Sequence, residues 1–100
     1  MGWNVALTER ALQDLEQVVA FLARKSPSAA ERLGLKLVET VFALDQMPYR
    51  GKPLRGRPGY RRVLHPPRYL VFYRLDEAQR AVEVVRIWDA RQDPQHLAIP

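Results

Sequence analysis

The sequence contains no cysteine and only two histidines, His65 and His96. Disulfide bridges, cysteine zinc sites and thiol catalysis are therefore excluded, and two histidines are too few to indicate a metal site. We expect no metal and no other cofactor. No apolar run approaches the ~20 residues that a membrane-spanning helix needs, and no signal peptide opens the chain. The expected location is the cytoplasm, with no membrane partner.

Acidic residues are fewer than basic ones, and lysine is scarce among the basic ones. The 100 residues include 16 Lys and Arg against 11 Asp and Glu, which gives a net charge of +5. Hydrophobic residues make up 47%, a share typical of a globular domain and too high for a disordered chain. The length suits one domain spanning residues 1–100. Its positive charge suits an anionic partner, either nucleic acid or an acidic protein surface, or serves solubility alone.

The spacing of apolar residues in the first half predicts one strand and two helices. Residues 3–7 alternate in size, as a short strand does. Thr8 is placed to cap a helix whose apolar stripe is Leu12, Leu15, Val19 and Leu22. Ser26 and Pro27 begin a second helix, which ends before Met47 and Pro48. Its apolar stripe is Ala30, Leu33, Leu37, Val41 and Leu44. Helices joined so closely are expected to form an antiparallel hairpin.

The second half is predicted to be a loop followed by strands. Residues 48–59 hold three prolines and three glycines, which disfavour regular structure, and four basic residues. Three strands are predicted at residues 60–65, 68–75 and 81–88, and residues 91–100 are expected to form a flexible tail. The predicted order is β-α-α-β-β-β, an α+β domain.

Several segments, in this order and at these intervals, are similar to one family of toxins. They are residues 7–11 (LTERA), 26–32 (SPSAAER), 53–54 (PL), 59–61 (GYR), 68–74 (RYLVFYR) and 87–94 (IWDARQDP). Over nearly the whole chain this set resembles the RelE/ParE superfamily of type II toxin–antitoxin systems. The resemblance implies a helical hairpin packed on a small curved antiparallel sheet. It also implies growth inhibition, a part in plasmid stabilization, and a cognate antitoxin that silences the toxin in a hetero-oligomer.

The superfamily includes two mechanisms, and the resemblance bears on both. RelE-like members cut mRNA in the ribosome, whereas ParE-like members poison DNA gyrase without being enzymes. Arg61 and Arg91 match basic positions of the RelE pattern, and His96 is the candidate acid for a nuclease. Apolar residues stand where the pattern has its other charged or tyrosine side chains, namely Val63, Leu70 and Leu97. The gyrase poison is therefore favoured over the mRNA interferase, and an inactive co-regulator of the antitoxin is a third hypothesis.

Target-binding and antitoxin-binding residues are predicted from charge and from amphipathic faces. The candidates for target binding are Arg55, Arg57, Arg62 and Arg86, although a solvated loop would have the same composition at the first two. Arg61 and Arg62 are neighbours on a strand, so they are expected on opposite faces. Arg86 lies inside an apolar strand, so its charge is expected either to be paired with a carboxylate or to face a binding site. The candidate carboxylates are Glu83, Asp89 and Asp76. The candidates for an antitoxin groove are Val18, Phe21, Leu33 and Leu37.

Overall fold

The computed structural model describes residues 2–100 and has two helices packed on one five-stranded sheet. In chain order the elements are β1 (Asn4–Leu7), α1 (Glu9–Ala23), α2 (Pro27–Phe42), β2 (Lys52–Pro53), β3 (Tyr60–His65), β4 (Tyr69–Asp76) and β5 (Ala81–Asp89). Short 3-10 helices follow at Ala43–Asp45 and Pro94–His96. The predicted α+β class is confirmed.

The helices begin where the capping residues predict. The Thr8 hydroxyl oxygen accepts a hydrogen bond from the Ala11 backbone N–H at 3.1 Å, and Ser26 does the same for Ala29 at 3.3 Å. Each cap satisfies one of the backbone donors that a helix leaves free at its start. Pro27 occupies the first turn of α2, where a missing N–H costs nothing.

The sheet differs from the prediction in two respects. Its strand order is β1-β5-β4-β3-β2, and β1 pairs with β5 in parallel while the other pairs are antiparallel. The sheet is therefore mixed and not wholly antiparallel, because the first strand joins the edge formed by the last. In addition, Lys52 and Pro53 form β2 inside the predicted loop. A strand of two residues that includes proline has no periodicity from which it could be predicted.

Hydrophobic residues are buried on both faces of the sheet. The face toward the helices carries the main core, which includes Val41, Leu44, Val71, Tyr73 and Ile87. The opposite face carries a second cluster, consisting of Phe72, Val85 and Trp88 with the partly buried Leu54, Tyr60, Leu70, Leu97 and Ile99. A β-bulge in β5 leaves Val85 without a partner on β4 and adds it to this second cluster.

Two predicted positions on the helices have different environments from those expected. Leu37 has no exposed surface, so it cannot line an antitoxin groove. It lies four residues before Val41 on the face of α2 that enters the core, which explains its burial. Leu12, expected in the apolar stripe of α1, is 47% exposed, while Ala11 and Asp14 are the buried residues of that helix.

Within residues 2–100, none of the helices is long and apolar enough to cross a membrane.

Candidate functional site

One surface depression lies between α1 and the end of β5. We call it the α1–β5 cleft; its volume is about 670 Å³. One wall is the side of α1 that includes Val18 and Phe21, and the other includes Trp88 and the residues after β5. The residues that line it are Arg10, Asp14, Gln17, Val18, Phe21, Tyr69, Arg86, Ile87, Trp88, Asp89, Arg91, Gln92 and His96.

A buried ion pair joins the two walls of this cleft. Arg86 donates from Nε to Asp14 Oδ2 at 2.8 Å and from Nη2 to Asp14 Oδ1 at 3.2 Å. The Ile87 backbone N–H, at the edge of β5 that β1 does not cover, also donates to Asp14 Oδ2 at 3.0 Å. The two side chains are only 3% and 5% exposed. Asp14 therefore fastens α1 to the sheet edge and neutralises the buried guanidinium.

The structure corrects the role predicted for Arg86. Its partner is Asp14 and none of the three candidates considered from the sequence, since Glu83 pairs with Arg74 and Asp89 pairs with Arg91. With 2% of its surface exposed, Arg86 is not available to bind a target.

Arg91 and His96 both line the α1–β5 cleft. Arg91 donates from Nη2 to Asp89 Oδ2 at 2.8 Å and from Nε to Oδ1 at 3.2 Å. These hydrogen bonds hold the pKa of Asp89 below its usual value, and the Asp89 carboxylate raises the pKa of Arg91. His96 is exposed in the last short 3-10 helix. The predicted nuclease pair thus shares a cleft, but the charge of Arg91 is already matched by a carboxylate.

Arg61, the third predicted catalytic residue, lies elsewhere. Its Nη1 donates to the Gly51 carbonyl at 2.7 Å and to the Tyr49 carbonyl at 3.1 Å, and its guanidinium carbon lies 5.1 Å from the centre of the Tyr49 ring. The three catalytic candidates are therefore not brought together. Arg61 instead holds the loop that leads from α2 to β2. As predicted, Arg61 and Arg62 lie opposite successive residues of β4, Tyr73 and Phe72, which belong to the clusters on opposite faces of the sheet.

A buried tyrosine also fixes the loop between α2 and β2. The Tyr73 hydroxyl donates to the Pro48 carbonyl at 2.8 Å and accepts from the Gly51 N–H at 2.9 Å. Burial raises the pKa of Tyr73. Gly51 approaches so closely that a Cβ atom there would lie 2.6 Å from the Arg62 carbonyl oxygen and 2.7 Å from the Tyr73 hydroxyl. The loop therefore requires glycine at this position.

A smaller depression is basic and lies at the edge formed by β2 and β3. We call it the basic groove; it measures about 300 Å³ and is lined by Arg50, Gly51, Lys52, Arg62, Val63, Leu64 and Leu70. Of the predicted target-binding residues, Arg62 lies here, and Arg55 is exposed in the loop that follows β2. Arg57 is engaged elsewhere, donating to the Ile99 and Pro100 backbone oxygens at 3.1 and 2.8 Å.

The end of the chain lies on the sheet face opposite the helices. Leu97 and Ile99 pack against the second hydrophobic cluster, Arg86 Nη1 donates to the Ala98 carbonyl at 2.7 Å, and Tyr60 donates to Pro100 at 2.7 Å. These contacts argue against a free tail over residues 97–100, and the flexibility of residues 91–100 stays a prediction.

Only some of the residues predicted to bind the antitoxin line the α1–β5 cleft. Val18 and Phe21 line the α1–β5 cleft, with Phe21 54% exposed, whereas Leu33 does not line it.

The functional residue that the sequence analysis missed is Asp14. Its position beside Leu15 and three residues after Ala11, both packed in the core, was the available signal, because a carboxylate on the apolar side of a helix needs a buried partner.

Comparison with known proteins identifies the family. The model of the ParE toxin of the type II toxin–antitoxin system parDE matches residues 5–94. The chain belongs to the ParE toxin family. Among the relatives of this toxin, the candidate toxin Y4kP of Sinorhizobium fredii is 33% identical over 95 residues, covering 94% of this chain and 96% of its own length. Toxin RelE1 of Caulobacter vibrioides is 32% identical over 91 residues, covering 88% and 94%.

Solved structures share the fold of this ParE-family toxin. A chain of the toxin–antitoxin complex RelBE2 from Mycobacterium tuberculosis is 29% identical with a TM-score of 0.66, covering 89% of this chain and 99% of that one. A chain of the chromosomal ParDE system from P. aeruginosa has a TM-score of 0.73 at 22% identity, covering 87% and 95%. The protein is therefore a toxin of the RelE/ParE superfamily, whose members of both names share its architecture.

Proposed function

We propose that this toxin inhibits DNA gyrase and does not cleave RNA. The observation that carries the proposal is the separation of the nuclease candidates. Arg61 is bound to loop carbonyls, whereas Arg91 and His96 line the α1–β5 cleft, where Asp89 already neutralises Arg91. RNA cleavage needs charged and proton-transferring groups that converge on one phosphate. No such convergence of the three occurs here.

The apolar residues at the other nuclease positions have packing roles that support this proposal. Val63 is 7% exposed in the main core, and Leu70 and Leu97 pack with the second cluster. None of the three can stabilise a phosphate charge or transfer a proton. Loss of one such donor typically lowers a rate by about a hundred- to a thousandfold, so the absence of three should leave little cleavage.

The proposal includes a cognate antitoxin and a cytoplasmic site of action. The solved RelBE2 structure is that of a toxin–antitoxin complex. The α1–β5 cleft offers an antitoxin segment an apolar wall at Val18 and the half-exposed ring of Phe21, beside the part of β5 that β1 does not cover. Such a groove suits an amphipathic helix or an added strand. We place the action in the cytoplasm because DNA gyrase works there.

Two assays on the same purified toxin test the proposed function. The toxin should block the supercoiling of relaxed plasmid by gyrase, and it should leave ribosome-bound mRNA without new 5′ ends in primer extension. Codon-spaced cuts that vanish in Arg91→Ala or His96→Ala, but persist in the control Arg24→Ala outside the cleft, would establish the RelE-like nuclease instead. Unaffected growth on induction without antitoxin, with both assays negative, would favour the inactive co-regulator.

A further inference from the structure

Positive charge in this toxin is concentrated in one segment of the chain. Residues 46–75 carry eight of the 16 basic residues and none of the 11 acidic ones. This segment forms the loop after α2 together with β2, β3 and most of β4. The net positive charge of the molecule therefore originates from the half of the sheet formed by β2, β3 and β4 and from the loops beside them. The remainder of the chain has a net negative charge.

Three arginines of this segment have partners within the protein. Arg57 donates to the end of the chain, Arg61 to the carbonyls of the preceding loop, and Arg74 to Glu83 at 3.1 Å. These side chains stabilise the toxin itself and are not free to bind a ligand.

Three of the five other cations of this segment line the basic groove. Lys52 of β2 stands directly opposite Arg62 of β3 in the antiparallel pair, so their side chains lie on the same face as neighbours. Arg50 lines the same groove, and no acidic residue does. Across residues 2–100, none of these three side chains has a carboxylate within salt-bridge distance. Like charges placed opposite each other destabilise a sheet, and a bound anion would relieve that repulsion.

We propose that the basic groove binds the phosphate backbone of duplex DNA, at the segment on which gyrase acts. The proposal rests on the proposed function, which supplies a target enzyme that holds DNA. The groove suits phosphate because it brings three cations together with no acidic residue in its lining, and Lys and Arg make many of the contacts to DNA phosphates. Leu64, 46% exposed at the same groove, is placed to contact sugars. Binding is independent of base sequence, because these cations contact only the backbone.

Counterion release gives the proposal a measurable magnitude. Each phosphate that a cation neutralises contributes about −0.9 to the slope of log affinity against log salt concentration. Three groove cations therefore predict a slope of about −2.7 for the toxin, and loss of two of them should change it by about 2.

The test is a titration of a fluorescent DNA duplex with the toxin, followed by anisotropy at several salt concentrations between about 50 and 200 mM. The groove variant is Lys52→Gln with Arg62→Gln. The matched control is Arg24→Gln with Arg32→Gln, which removes the same charge from two exposed positions, one just after α1 and one in α2, outside both depressions. The groove variant should bind at least about tenfold more weakly at 100 mM salt and have the shallower slope, and the control should retain both values. Because removal of two like charges relieves repulsion, the groove variant should also melt no lower than the parent toxin.

Two results would overturn the proposal. One is equal loss of DNA binding in both double variants, which would mean that only net charge matters. The other is a groove variant that binds DNA normally but no longer inhibits gyrase, which would place an acidic protein surface in the groove. Gyrase inhibition can fail separately: a toxin that binds DNA through the groove and leaves supercoiling unaffected contradicts the proposed function while supporting the groove as a DNA-binding site.

Discussion

Replacement of Asp14 by alanine should destabilise this toxin more than any other single loss of charge. The substitution leaves the Arg86 guanidinium buried with no carboxylate, and it removes the acceptor of the Ile87 N–H. Breaking a buried ion pair on one side typically costs about 3–5 kcal/mol. Each kcal/mol lowers the melting temperature of a domain of this size by about 4–8 °C, so a fall of about 12–40 °C is expected. That loss approaches the whole stability of a small domain, which is about 5–15 kcal/mol.

A double variant separates the cost of an orphaned charge from the value of the pair. Asp14→Leu combined with Arg86→Met removes both charges, and apolar replacements of buried pairs are often neutral or stabilising. The Ile87 N–H then lacks its acceptor and the Ala98 carbonyl its Arg86 donor, at about 1–3 kcal/mol for each group that stays buried. Urea unfolding of the parent, the single variants and the double variant gives the coupling energy directly.

The matched control is Arg74→Ala, which breaks a half-exposed pair with Glu83 and should cost no more than about 1 kcal/mol. An Asp14→Ala variant no less stable than this control, or a double variant whose losses simply add, would refute the reasoning.

Three further outcomes are expected. Tyr73→Phe removes a buried hydroxyl that makes two hydrogen bonds and should cost about 1–3 kcal/mol in urea unfolding; a loss under about 0.5 kcal/mol would contradict this role. Burial, with a smaller contribution from the charge of Lys36, lowers the pKa of His65 from its usual 6.5, so the unfolded state binds the proton more tightly. Stability should therefore be greatest above pH 6.5 and fall as the pH drops below it toward the lowered pKa, and melting curves of His65→Gln should lack this dependence. Finally, Phe21→Asp should weaken antitoxin binding by about 30-fold or more in calorimetry, whereas Leu35→Asp, an exposed apolar position outside the cleft, should not; equal effects would place the antitoxin elsewhere.

The local elements of this fold could be predicted because their signals are local. Thr8, Ser26 and Pro27 mark both helix starts within one turn of where they occur, and the apolar density of β4 and β5 reflects their central position. The parallel pairing of β1 with β5 has no such signal, since it joins residues 77 positions apart, as in the pair Leu7 and Val84. The short β2 exists only because β3 provides its partner.

The candidate site shows the same limit at the level of side chains. Charge type and strand alternation correctly placed Arg61 and Arg62 on different faces. They did not identify Asp14 as the partner of Arg86, because a contact across 72 residues depends on how α1 crosses the edge of β5. Nor did composition distinguish Arg57, which is bound to the end of the chain, from Arg62, which is free in the groove. Whether a surface arginine binds a partner or its own protein is decided by tertiary contacts.

The pairing of β1 with β5 also determines when this toxin can complete its fold during its own synthesis. β1 leaves the ribosome before the other four strands but has no partner until residues 81–84 follow. Asp14 likewise has no ion-pair partner on the sheet until Arg86 has been synthesised. A chain stopped before β5 lacks the strand that lies between β1 and β4, so it cannot complete the core. Contacts so distant in sequence also slow folding. The fold of this toxin is therefore incomplete until β5 has been synthesised, which leaves an interval in which a partner already present can bind the emerging chain.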